Sequence, residues 1–156
     1  MIQRFGLLGC SKIAEKSFFP VMKSSELARP VIVGSRSLSK GKTWSEKYNC
    51  EHFGSYDDVI NSDVDAVYIS LPIGLHEEWS VKSLKAGKHV LCEKSSTTSY
   101  HSALKMVKVA KESNRRILEG FSFRYHPQHQ KVKELIANKL GEVRNFQGIY
   151  GFPPPS

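Results

Sequence analysis

No apolar run in the sequence approaches the roughly 20 residues that a helix needs to cross a bilayer, so no helical membrane span is expected. A secretory leader pattern is also missing, because the short apolar stretch at the start is studded with Arg4 and Lys12. Cysteine is scarce. Cys10, Cys50 and Cys92 form neither a metal-ligand spacing nor an even disulfide framework, and they suit a reducing, cytoplasmic setting. His126 and His129 have no cysteine or carboxylate at ligand spacing, so no metal is expected. Acidic residues are scarce in the second half. Residues 1–78 carry 9 Lys+Arg against 10 Asp+Glu, whereas residues 79–156 carry 14 against 5. A basic half could point to nucleic acid. Most of these lysines, however, recur at helical spacing around Lys82–Lys88 and Lys105–Lys111, and no basic stripe interleaved with aromatics is present. That pattern is a solvated helix face, and the positive field would also suit a multiply anionic cofactor. What remains is a 156-residue chain, 40% hydrophobic and 24% charged, long enough for one well-cored domain.

The chain is organised around residues 4–14, Arg-Phe-Gly-Leu-Leu-Gly-Cys-Ser-Lys-Ile-Ala. An apolar run breaks at Gly9 and resumes at helical spacing from Ile13, which reads as strand, tight turn and helix start. The spacing matches the dinucleotide fingerprint G-x-G-x-x-G/A, with Gly9 first and Ala14 last. Gly9 makes the turn, and Ala14 lets helix and strand approach closely. The N–H groups around Ser11, Lys12 and Ile13 then face a pyrophosphate at the positive end of the helix dipole. Ser11 stands where the middle glycine would be, which keeps a phosphate slightly further away. The same residues also suit a strand–helix turn that holds nothing.

Beyond this stretch the pattern alternates. Strands are expected at Ile2–Leu8, Pro30–Val33, Asp65–Ser70 and His89–Cys92, with another beginning at Arg116–Leu118. Asp65–Ser70 is counted fourth, with no segment assigned to the third. Helices are expected from Lys12, with an interruption or kink at Pro20, and at Ser39–Tyr48, Ser55–Ile60, Leu75–Lys85 (stopped by Gly87) and Ser99–Ser113. A further helix starts at Pro127, a residue well suited to a first turn, and runs to about Asn138. This rhythm predicts an α/β fold with a doubly wound parallel sheet. Ligands in such folds sit beyond the carboxyl ends of the strands.

The residues just after each strand are therefore the candidates. After the second strand comes Gly34-Ser35-Arg36-Ser37. It carries no acid to hold a ribose 2′-hydroxyl, and Arg36, Ser35 and Ser37 offer donors for a 2′-phosphate. The alternative is an arginine in a solvated loop. After the fourth strand come Leu71, Pro72 and His76; His76 either faces a ligand or caps a helix. After the fifth come Glu93 and Lys94, either an acid–base pair for proton transfer or a surface ion pair.

Several segments together resemble the N-terminal part of the Gfo/Idh/MocA oxidoreductases. They are Gly-Cys-Ser-Lys-Ile-Ala14, Gly-Ser-Arg-Ser37, Asp-Ala-Val-Tyr-Ile69, Leu-Pro-Ile-Gly-Leu-His76, Ala-Gly-Lys-His-Val-Leu-Cys-Glu-Lys94, Phe-Arg-Tyr-His-Pro-Gln128 and Gly-Glu-Val-Arg144. The resemblance implies a Rossmann, NAD(P)-binding domain over residues 1–120. Residues 121–156 would be a connecting helix and the first strand, Val143–Tyr150, of a second α+β domain. It also implies hydride transfer between a nicotinamide cofactor and a hydroxyl of a sugar, polyol or diol. NADP(H) ranks ahead of NAD(H) because of Arg36. Lys94 would be the catalytic residue, its ammonium stabilising alkoxide character if neighbours keep it desolvated. Leu71, Pro72, His76, Glu93 and Arg124 would line the cofactor.

Two departures qualify these expectations. Ser95 replaces the family's proline after Lys94, so that peptide bond is expected to lose easy access to cis. The substrate domain is also expected to be missing beyond its first strand. An unpartnered strand bearing Phe146, Ile149, Tyr150 and Phe152 would fold back, pair with another copy to give a homo-oligomer, or belong to a longer protein. A non-catalytic NADP(H)-binding module is then the alternative to a dehydrogenase.

Overall fold

A computed structural model describes residues 2–149 and 151. The chain divides into two compact units, Met1–Phe121 and Ser122–Ser156.

The first unit is built on six strands: β1 (Gln3–Leu8), β2 (Ala28–Gly34), β3 (His52–Gly54), β4 (Ala66–Ile69), β5 (His89–Cys92) and β6 (Ile117–Glu119). All pairings are parallel, in the order β3-β2-β1-β4-β5-β6. The order reverses between β1 and β4, so the carboxyl ends of these two strands, at Leu8 and Ile69, flank the crevice where such sheets take ligands. Strand side chains alternate between faces, and here both faces are covered. Leu7 and Tyr68 join Ala14, Phe18, Phe19 and Val33 on one side. Their neighbours Leu8 and Ile69 join Val59, Trp79, Leu84 and Met106 on the other. That double burial explains why β4 and β5 read as apolar runs.

The helices follow capping rules. α1 (Phe19–Ser24) ends a helical run over residues 12–24 whose middle, Ala14–Phe18, is π-helical. The irregularity expected at Pro20 thus falls before it. Proline has no N–H and crowds the carbonyl four residues earlier. The widened turn, in which Phe19 N–H reaches Ala14 O, carries the chain through without a break. α2 (Leu38–Lys47) is capped by Ser37 and α5 (Tyr100–Glu112) by Ser99, each accepting an N–H from three residues on. α3 (Tyr56–Asn61) starts in a capping box formed by Ser55 and Asp58. α4 (His76–Lys85) is preceded by a 3-10 turn, Ile73–Leu75. It ends where Gly87 adopts φ +79° and donates to Leu84 O.

The second unit holds a 3-10 turn, Ser122–Tyr125, and α6 (Pro127–Leu135), continued by a π-helical turn, Ile136–Leu140. His126 caps α6 by accepting the N–H of Gln128, and Pro127 occupies its first turn. The strand expected over Val143–Tyr150 does not form: residues 143–149 carry no regular structure, and Tyr150 and Phe152 lie outside the described residues. A strand exists only by pairing, and none of the described residues of this unit offers a ladder. Phe146 is accordingly 84% exposed. Among the described residues no helix is long and apolar enough to cross a membrane, and no group of three metal-binding side chains occurs.

Candidate functional site

The turn after β1 is built by Gly9. Its φ of +96° is one that side-chain-bearing residues rarely adopt, and a Cβ there would stand 2.7 Å from Leu71 Cδ2. Gly9 N–H donates to Gly34 O at 3.0 Å, and Ser70 N–H to Leu8 O at 3.0 Å. The Ser70 hydroxyl also bonds Gly9 O at 2.9 Å. The ends of β2, β1 and β4 are thereby laced side by side. Ser11 accepts the N–H of Ala14 on its hydroxyl at 3.1 Å and that of Glu15 on its carbonyl. In the place of the fingerprint's middle glycine it therefore acts as the helix cap. The N–H groups of Lys12 and Ile13 remain without a partner among the described residues, as expected of a first turn.

A crevice of about 230 Å³ opens at this point, lined by residues from the turns after β1, β2 and β4. It brings together Gly9, Ser11, Ser35, Arg36, Ser37, Leu71 and Pro72, all candidates from the sequence. It adds Cys10, Lys40, Tyr56 and Ser70, which sequence reasoning passed over. Lys40 reaches back from α2 to Cys10 O at 3.1 Å, and the N–H of Ser37 is held by the Ser35 hydroxyl at 3.2 Å. Burial pushes the Cys10 thiol up, with Ser35 and Lys40 opposing the shift. Burial likewise pushes the Tyr56 phenol up, and the nearby Arg36 works against it. The wall is thus cationic and hydroxyl-rich: Arg36 and Lys40 line it, and no carboxylate does.

The turns after β4 and β5 are different in kind. His76 is buried, and both its ring nitrogens meet carbonyl oxygens: Nε2 is 2.7 Å from Leu71 O and Nδ1 is 2.9 Å from Ser95 O. Of the two readings left open by the sequence, the helix cap is not what forms, since the start of α4 carries no side-chain cap. The ring clamps one turn to the other. Glu93 accepts the Tyr68 hydroxyl at 2.6 Å and the N–H of Lys94 at 3.3 Å. Burial and that carboxylate together drive the Tyr68 phenol far above its ordinary range. A surface ion pair between Glu93 and Lys94 does not form among the described residues. The Lys94 side chain is exposed, so these turns do not desolvate it. The Lys94–Ser95 peptide bond is cis, with serine rather than proline following. Arg124 lies in the Ser122–Tyr125 turn of the second unit and is exposed.

Comparison with known proteins identifies the family to which this fold belongs. Residues 3–121 match a family described as "Oxidoreductase family, NAD-binding Rossmann fold". The chain is 36% identical to a dTDP-3,4-didehydro-2,6-dideoxy-α-D-glucose 3-reductase of Actinomadura kijaniata, over 97% of this chain and 46% of that protein. It is 32% identical to D-xylose 1-dehydrogenase (NADP(+)) 2 of Haloferax volcanii, over 97% of this chain and 47% of that one. The crystal structure of KijD10, a 3-ketoreductase from Actinomadura kijaniata in complex with NADP and TDP-benzene, superposes with a TM-score of 0.85 at 36% identity, covering 92% of this chain and 45% of that one. The chain therefore spans about half the length of the curated relatives it matches. It belongs to the Gfo/Idh/MocA oxidoreductase family, with residues 3–121 as its NAD-binding Rossmann fold.

Proposed function

We propose that the chain is the nucleotide-binding part of an NADP(H)-dependent oxidoreductase that acts on a hydroxyl, or the corresponding ketone, of a sugar, polyol or diol. The observation that carries this reading is the crevice after β1, β2 and β4, which has two cations, four serines (Ser11, Ser35, Ser37 and Ser70) and no acid in its wall. These residues fit the cofactor. Gly9 leaves room where any side chain would collide with Leu71, and the N–H groups of Lys12 and Ile13 suit a pyrophosphate. Arg36, helped by Ser35, Ser37 and Lys40, suits a 2′-phosphate. An aspartate or glutamate selecting for a free 2′-hydroxyl is missing from this wall.

Bound NADP(H) would supply the hydride chemistry. Leu71 and Pro72 shape the side of the crevice nearest β4. Glu93, anchored by Tyr68, fixes the start of the turn that carries Lys94. Lys94 is the residue proposed to hold a proton on Nζ beside the reacting oxygen. Its exposure in these turns means that water must be excluded by residues outside them. The relatives' names, a deoxysugar-nucleotide 3-reductase and a xylose 1-dehydrogenase, support a carbohydrate substrate.

The test is a titration of the chain with NADPH and NADH. Tighter binding of NADPH is expected. Arg36→Ala should weaken NADPH selectively, by the 10- to 150-fold that corresponds to about 1.5–3 kcal/mol for a hydrogen bond to a charged group. Equal affinity for both cofactors overturns the reading. The exposed Lys94 favours a second reading, a binding module without turnover. An assay of the chain over a panel of sugars, polyols and sugar nucleotides separates the two, and no turnover is expected from these 156 residues alone.

A further inference from the structure

Arg36 poses a physical problem. It is exposed, and a long side chain free in water loses rotamer entropy when it closes on a ligand. A guanidinium that discriminates one phosphate by a factor of ten or more needs something to hold it beforehand. Tyr56 lines the same crevice wall as Arg36.

Tyr56 is placed by three features unrelated to any ligand. Its backbone is the first helical position of α3, fixed by the capping box in which Asp58 accepts from the Ser55 N–H and hydroxyl, both at 2.7 Å, while the Ser55 hydroxyl accepts from Asp58 N–H at 3.1 Å. Its ring stands edge-on to Trp79 of α4, with centroids 5.0 Å apart and planes at 78°. Trp79 is itself buried in the core. The ring is thus held by the scaffold, and it stands with Arg36 in the same wall. Tyr56 comes from the connection after β3 and Arg36 from that after β2; parallel pairing of β2 with β3 brings the two connections side by side.

We infer that Tyr56 is a positioning residue for Arg36, its hydroxyl holding the guanidinium over the crevice and so setting the preference for a 2′-phosphorylated nucleotide. The inference rests on the NADP(H) reading above and deepens it. Trp79 fixes the Tyr56 ring, the ring fixes the hydroxyl, and the hydroxyl fixes the arginine fork. Discrimination at the crevice mouth is then set partly by a residue 20 positions away in sequence.

The probes are 2′,5′-ADP and 5′-AMP, which differ only by the phosphate in question, titrated by calorimetry into the full chain. The unmutated chain should prefer 2′,5′-ADP. Tyr56→Phe keeps the ring against Trp79 and removes only the hydroxyl. It should lower that preference roughly five- to tenfold, the size of one ordinary hydrogen bond, and leave 5′-AMP binding unchanged. In an Arg36→Ala background the same substitution should have no effect on either probe, because the two residues act through one another. A preference in the unmutated chain that survives undiminished in Tyr56→Phe overturns this inference alone. So does an equal Tyr56→Phe effect with and without Arg36, or equal weakening of both probes, since either makes Tyr56 a packing residue. No preference in the unmutated chain overturns the NADP(H) reading and this inference with it.

Discussion

The carboxyl edge of the sheet has two halves, and they treat their polar groups in opposite ways. Around β1 and β2 the groups line an open crevice: Arg36, Lys40 and the hydroxyls of Ser35 and Ser37 meet there without a carboxylate. Around β4 and β5 they are turned on one another. Tyr68 serves Glu93, His76 serves Leu71 and Ser95, and the N–H of Ser96 is taken by Glu119 at 2.8 Å. Lys94, by contrast, is exposed. The first half has the character of a finished binding surface, with charge uncompensated by protein and so available to a ligand. The second half is a rigid frame. Its buried Tyr68 and His76 find their partners within the protein, and it holds a catalytic candidate outward for something else to meet. Nucleotide binding is therefore expected to depend on the first half and stability on the second.

The largest expected effect breaks the first half at its turn. Gly9→Val puts a β-branched side chain at φ +96° and 2.7 Å from Leu71 Cδ2. Strain of this kind costs about 1–3 kcal/mol, and overpacking adds about 1–3 kcal/mol more. A lowered melting temperature with loss of measurable NADPH binding is expected from calorimetry and thermal melts. Retention of both would mean that the turn has room to spare and does not cradle a phosphate.

A smaller effect separates the halves. His76→Ala removes the ring that bridges the carbonyls of Leu71 and Ser95; a neutral imidazole donates to one of them, and a buried carbonyl left unpaired costs about 1–3 kcal/mol. At about 2–4 °C per kcal/mol for a chain of this size, the melting temperature should fall by several degrees, while NADPH affinity stays within a few-fold. The opposite result, an unchanged melt with weakened NADPH binding, would show that the imidazole faces the nucleotide and that the two halves share one role.

How far this division was legible in the sequence follows from what each feature depends on. β4 and β5 were legible because burial on both faces makes them short apolar runs, and β5 falls at the expected His89–Cys92. β3 was not legible: it is three residues long, two of them, His52 and Phe53, exposed, so no pattern marks it. Gly9, Ser11, Arg36 and Leu71 could be named because each directly follows a strand, and the order of a parallel sheet sends such residues to one edge. Tyr56 and Lys40 arrive from helix starts, through the pairings of β2 with β3 and with β1, which no local signal encodes. The partners of His76 and Glu93 were hidden for the same reason, since Tyr68 lies 25 residues from Glu93 and its ring direction depends on which face of β4 is buried against Phe18. The expected strand at Val143–Tyr150 had the composition of a strand, but β-propensity describes a fit to a sheet, and the described residues of the second unit contain no sheet.

The smallest effect sharpens the comparison without a mutation, because each half carries a cysteine at the end of a strand. Cys10 follows β1 in the crevice wall, and Cys92 closes β5, fully buried. Cys50 lies away from both and is half-buried. The thiolate is the reactive form. Burial drives Cys92 and Cys50 up to about 12, so both are almost wholly protonated at pH 8. Cys10 is also raised by burial, but Ser35 and Lys40 favour its thiolate, and it borders open space. Alkylation at pH 8 followed by peptide mass spectrometry should therefore label Cys10 first, Cys50 slowly, and Cys92 only after denaturation. Saturating NADPH should slow the labelling of Cys10 several-fold and leave the other two unchanged, since a nucleotide in the crevice covers the turn without touching β5. If NADPH protects Cys92 instead, or leaves Cys10 as reactive as before, the nucleotide binds elsewhere and the contrast between the two halves does not describe its site.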